Sequence, residues 1–159
     1  MTQEELIRDW QIRAKRKANA HAQSAARATK FRYLIGVPSV ILSAITAAAV
    51  FAEIESDPSS EFKLCVVAII IIAAVLTSLQ TFFNFGESAE LHKAASATFS
   101  KIRRKTDKAL VEVTNQPINK EKVETLIDDI EERFNETIEI EPLIPKKIWV
   151  NVEKKYSCL

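Results

Sequence analysis

A stretch without a single charged residue, Leu64 to Gly86 (LCVVAIIIIAAVLTSLQTFFNFG), constrains this chain more than any other feature. At about 1.5 Å of rise per residue, a helix over it spans roughly 34 Å, enough to cross a hydrocarbon core of about 30 Å. A second uncharged run, Tyr33 to Ala52, precedes it. Two buried helices of a soluble domain are the alternative, but such helices keep a polar face, and Leu64–Phe83 has none before Thr77. The pair therefore reads as a two-helix transmembrane hairpin, with crossings over 33–52 and 62–86 and both ends on the same side.

Composition alone hides this. Of 159 residues, 47% are hydrophobic and 27% charged, with a net charge of +1, values close to those of an ordinary soluble domain. The two classes are segregated along the chain. From Arg8 to Arg32 eight basic residues (Arg8, Arg13, Lys15, Arg16, Lys17, Arg27, Lys30, Arg32) stand against Asp9 alone. Glu53, Glu55, Asp57 and Glu61 fill the connection, and Lys93, Lys101, Arg103, Arg104, Lys105 and Lys108 follow the second run. Lys and Arg collect on the cytoplasmic side of short flanks, so both termini are expected in the cytoplasm and the acidic loop 53–61 outside. The first apolar run starts too far into the chain for a secretory signal peptide. Cys65 and Cys158 offer neither metal spacing nor a disulfide framework.

Residues 3–32 lack Gly and Pro and are rich in Ala, which favours helix. Leu6, Trp10, Ala14, Ala18, His21, Ala25 and Ala28 form a small-residue stripe suited to close helix packing. The Arg13–Lys17 cluster reads as an orientation anchor that otherwise stays solvated; binding of nucleic acid or anionic lipid is the sharper alternative, and no nucleic-acid partner is expected. In the first crossing Gly36, Ser39, Ser43 and Thr46 share a face. Small residues let membrane helices approach closely, and pore lining is the other meaning of such a face. Pro38 predicts a kink or a helix break. The acidic turn carries Asp57-Pro58-Ser59-Ser60 as its breaker.

The second crossing is bulky and apolar over Val66–Ile72. Its other half carries Thr77, Gln80, Thr81 and Asn84 within about 100° on a helical wheel. Such groups in lipid face another helix or water, so the stripe either bonds helix to helix or lines a conducting path. In the second case the apolar end, with Ile70 and Ile71, is a hydrophobic gate that blocks ions by dewetting. A helix then runs over 87–114, an amphipathic helix over 120–134 (Val123, Leu126, Ile127, Ile130, Phe134) and a tail over 138–159 too rich in Pro to be helical around Glu141–Pro145, with Ile148-Trp149-Val150 able to dock on the bundle. His21 and His92, the only histidines, read as packing or hydrogen-bonding residues.

No glycine-rich phosphate loop, HExxH, GxSxG, paired-Cys motif or TVGYG filter occurs. No enzyme, catalytic residue, metal site or cofactor is expected. What remains is a specific pattern: an Ala- and Arg-rich N-terminal helix, two crossings, the run Glu87–Arg104 with Ala89, His92, Ala95, Phe99 and Ile102, and a Leu143-Ile144-Pro145 tail. Over nearly the whole chain this resembles the SLATT domain, a two-helix membrane effector associated with SMODS nucleotide synthases and SLOG sensors in bacterial conflict systems. Phe99 stands where that pattern often has tyrosine.

The resemblance implies an all-α membrane protein of the bacterial inner membrane, a transmembrane hairpin with long cytoplasmic helical extensions. It further implies a homo-oligomer that forms a pore or disrupts the membrane when a partner senses infection, arresting growth. A cytoplasmic nucleotide synthase, sensor or reverse transcriptase would be that partner. A membrane anchor or adaptor that conducts nothing is the alternative.

Overall fold

A computed structural model describes residues 2–55, 60–115 and 120–157. These form α1 (Gln3–Glu55), α2 (Ser60–Phe83), α3 (Phe85–Asn115), α4 (Lys120–Ile140) and α5 (Lys146–Ser157), with no strand among the described residues. The chain divides into two compact units. The larger holds Met1–Ala26 with Ser88–Leu159, and the smaller holds Arg27–Glu87. The expected breaker residues Asp57-Pro58-Ser59 and Cys158 lie outside the described residues.

Several boundaries differ from those the sequence suggests. The helices expected over 3–32 and 33–52 are one element, and α1 runs through Pro38 without a break. A proline there removes one backbone bond. The turns on either side are nevertheless intact, because apolar surroundings offer freed peptide groups no better partner than the helix itself. The interruption falls instead inside the expected 62–86 crossing, at Asn84, with φ of 40°. Asparagine enters this left-handed region more readily than most residues. The Asn84 N–H still bonds the Gln80 carbonyl at 3.2 Å, and its side-chain amide donates to the Glu87 carboxylate. α3 therefore starts from an anchored turn.

In the larger unit the core is Ile7, Ala14, Ala18, Phe99, Ile102, Ala109, Ile130 and Phe134, with Trp10, Leu110, Val113 and Ile127 against it. Fully burying a side chain such as Phe99, Ile102 or Ile130 contributes about 1.5–3 kcal/mol each. Ala14, Ala18 and His21 of the expected α1 stripe are buried, but at its start the fully buried residue is Ile7 and not Leu6. Helix α4 continues beyond the expected end at 134 because the same face carries on. Thr137 is buried, and its hydroxyl donates to the Arg133 carbonyl at 2.6 Å. The helix stops at Ile140 because Glu141 precedes Pro142, and the residue before proline is pushed out of the α region.

The tail expected over 138–159 is largely helical. The Pro145 carbonyl accepts from Ile148 N–H at 2.8 Å and Trp149 N–H at 3.1 Å, opening α5. Ile148 and Val152, four apart, then bury against Ala20, flanked by Ile144, Trp149 and Tyr156.

Candidate functional site

In the smaller unit the least exposed positions of α1 after Phe31 are Ile35, Gly36, Ser39, Leu42, Thr46 and Ala49, and those of α2 are Val66, Ile69, Ala73, Leu76 and Gln80. Apart from the adjacent Ile35 and Gly36, both sets step by threes and fours. A sustained seven-residue repeat of this kind marks the seam of a paired helix hairpin. The contact is close where the residues are small. A Cβ on Gly36 would lie 3.3 Å from Gln80 Oε1.

This geometry separates the residues that the sequence grouped together. Ser39 is buried, Gly36 and Thr46 are half-buried, and Ser43 is exposed. Gln80 lies against Gly36, whereas Thr77, Thr81 and Asn84 are exposed. Thr46 Oγ1 is buried without a hydrogen-bond partner among the described residues, and the other four hydroxyls do not bond across the hairpin. Ser39 donates to Ile35 O (2.9 Å), Ser43 to Ser39 O (2.8 Å), Thr77 to Ala73 O (2.9 Å) and Thr81 to Thr77 O (3.0 Å). Each proton is thus used within its own helix, leaving oxygen lone pairs turned outward as acceptors. Ile70 and Ile71, the gate candidates, are 39% and 58% exposed in the single chain.

The outer surface of the hairpin is mostly apolar, broken by the exposed Ser43, Thr77, Ser78 and Thr81. Val40, Leu64 and Phe82 are 71%, 72% and 81% exposed, and two helices are long and apolar enough to cross a membrane. A patch this large on a monomer marks contact with a membrane or a partner. One end carries an interfacial signature. Arg27 sits over the Phe31 ring at 5.6 Å, Phe31 stacks on Phe85 and Phe85 on Phe83, and Tyr33, two residues along α1, is exposed. Aromatic and basic side chains favour the level where water meets hydrocarbon.

A second constellation, which sequence reasoning did not assemble, lies inside the larger unit. His21 is fully buried. Its Nδ1 is 3.0 Å from His92 Nδ1, and its Nε2 is 3.0 Å from Glu141 Oε2. Lys17 pairs with the other Glu141 oxygen. The His21 ring stacks on Phe99 at 5.6 Å with planes 6° apart. A carboxylate only accepts, so with both rings neutral His21 carries its proton on Nε2, and His92 donates from Nδ1. Burial, and then the neighbouring His21, hold His92 below the usual histidine pKa.

The arrangement ties the Glu141–Pro145 connection to α1 and α3. Three members of the Arg13–Lys17 cluster are likewise engaged within the chain, whereas the buried Arg16 Nε has no hydrogen-bond partner among the described residues. Arg13 pairs with Asp9 at 2.7 Å, Lys15 lies over the Tyr156 ring at 5.4 Å, and Lys17 holds Glu141. The two histidines and Glu141 are too far apart in the chain to form a motif, and no sequence signal links them.

Residues 4–149 match the family model described as SMODS and SLOG-associating 2TM effector domain family 4. No curated protein and no solved structure matches the chain.

Proposed function

The chain belongs to this family of two-transmembrane effector domains, and on that premise we propose that it is a membrane effector of a bacterial conflict system that oligomerises in the inner membrane and permeabilises it. The observation that carries this reading is the outward surface of the hairpin, largely apolar and left uncovered among the described residues. Two helices enclose no aqueous path, so conduction requires several copies. The outer face of α2 suits such assembly. Ile71, Ala74, Val75, Ser78, Leu79 and Phe82 line a shallow groove of about 570 Å³, with small residues at its centre. Thr77, Thr81 and Asn84 beside it would line the path, with Gln80 at its edge. Ile70 and Ile71 would form the dewetting gate. Both termini lie in the cytoplasm by the charge asymmetry of the flanks. There the larger unit would receive the signal of a nucleotide synthase, a sensor or a reverse transcriptase.

Ion release from liposomes carrying the purified chain, measured with oligomer size on the same preparation, tests the proposal. Ile70→Ser, which lies outside the α2 groove, is expected to leak without a trigger, and Thr81→Leu to reduce flux at unchanged oligomer size. Asn84 is a poorer probe because its left-handed backbone has a structural role of its own. A stable oligomer that never leaks refutes the pore. One observation favours the adaptor reading in that event. Ile140 and Leu143 are 82% and 95% exposed in the larger unit, and Leu143 borders a groove of about 320 Å³ with Trp149, a surface that fits a protein partner.

A further inference from the structure

The smaller unit contains a groove of about 330 Å³ whose walls change character from one end to the other. Val37, Val40 and Ile41 form an apolar side, Gly36 leaves its floor open, Gln80 presents an amide, and Arg32 and Tyr33 stand at the rim. Arg32 takes part in no ion pair among the described residues; its guanidinium lies beside Gly86, 3.7 Å from where a Cβ would stand. No hydrogen bond reaches the Gln80 amide among the described residues either. An unpaired cation, an unpaired amide and an apolar trough thus follow one another along a single depression.

We propose that this groove is a binding site for one anionic phospholipid. The order of groups matches the order of chemistry in such a lipid. The phosphate meets Arg32, whose planar fork suits two phosphate oxygens at once. The glycerol ester carbonyl accepts from Gln80 Nε2. One acyl chain lies along Val37, Val40 and Ile41. Tyr33, 63% exposed, stands at the headgroup level where an amphipathic ring is favoured. A Cβ at Gly36 would stand 3.3 Å from Gln80 Oε1, so the absence of a side chain there leaves the Gln80 amide room beside the trough.

The proposal rests on the membrane reading and goes beyond it. It assigns the attraction for anionic lipid to one residue and one groove, whereas Lys30, exposed two positions away, would contribute only diffuse surface charge.

The test uses the full chain in detergent, supplied with equal amounts of phosphatidylglycerol and phosphatidylcholine, with retained lipids counted by native mass spectrometry. The wild type is expected to hold one phosphatidylglycerol per chain in preference to phosphatidylcholine. Arg32→Gln should reduce that preference about fivefold, the effect of roughly one basic residue's worth of attraction, and Lys30→Gln should leave it unchanged. Val40→Trp, at a position open enough to accept it, should expel either lipid by filling the trough. Glycerol phosphate, which has no acyl chain, should not displace the bound lipid.

Equal losses in Arg32→Gln and Lys30→Gln would reduce the site to general surface charge and overturn it. Lipid retained by Val40→Trp would do the same. Flotation of the same protein with phosphatidylcholine vesicles separates the two levels. A chain that floats but shows no anionic preference sinks the lipid site alone, and one that does not float sinks the membrane reading with it.

Discussion

Glu141→Ala is expected to loosen the larger unit far more than its place in a Pro-flanked connection suggests. The carboxylate accepts twice, from Lys17 and from His21 Nε2 at 3.0 Å. The two bonds are not equal. The Lys17 and Glu141 side chains keep 19% and 16% of their exposure, so water partly screens their pairing, and its loss costs about 1 kcal/mol. His21 has no exposure at all. A buried donor left without an acceptor costs about 1–3 kcal/mol. Together the substitution should destabilise the unit by about 2–4 kcal/mol, which for a unit of this size lowers its melting temperature by roughly 10 °C or more.

Lys17→Met provides the control. It removes only the screened bond and should cost about 1 kcal/mol or less. Thermal denaturation of the full chain in detergent, followed by circular dichroism, reads both variants. Protease sensitivity at 141–145 should rise in Glu141→Ala, because the carboxylate holds that connection to α1. If Glu141→Ala melts within about 0.5 kcal/mol of the wild type, or if Lys17→Met costs as much as Glu141→Ala, the burial argument fails.

Three further outcomes follow from the same geometry. The folded state resists protonating His92, whereas the unfolded chain accepts that proton near the ordinary histidine value of about 6.5. The unfolded state then binds more protons, and stability should fall as the pH drops below about 6.5; a His92→Gln variant should show a flatter melting-temperature profile between neutral and mildly acidic pH. At Asn84, with φ of 40°, Gly should be tolerated, whereas Leu should cost about 1–2 kcal/mol, read by the same melts. Ser39→Leu, on the buried seam, should separate α1 from α2 and abolish a crosslink between cysteines placed on the two helices. Ser43→Leu, on the exposed face, should leave that crosslink intact and act on oligomer size alone.

How much was legible in the sequence depended on distance along the chain. The hairpin follows from two uncharged runs, because a helix of that length without a polar face has nowhere in water to go. The α4 core face was equally legible, since Val123, Ile127, Ile130 and Phe134 repeat at helical spacing and burial follows periodicity. The family pattern was read from the same kind of local register. These are properties of segments, decided by desolvation and by one helical turn acting on the next.

The tertiary structure decided what depends on meeting. His21 finds His92 at a separation of 71 residues and Glu141 at 120, and neither distance has a period. Whether α5 exists as a docked helix depended on Ala20 being small enough to receive Ile148 and Val152. Propensity predicted a kink or break at Pro38, but the helix is interrupted at Asn84, where an amide and Glu87 stabilise a left-handed residue. The polar stripe was divided in the same way. Gln80 turns to Gly36 while Thr77 and Thr81 remain outside, because the seam between two helices repeats every seven residues and a wheel drawn on one helix alone does not show where its partner lies.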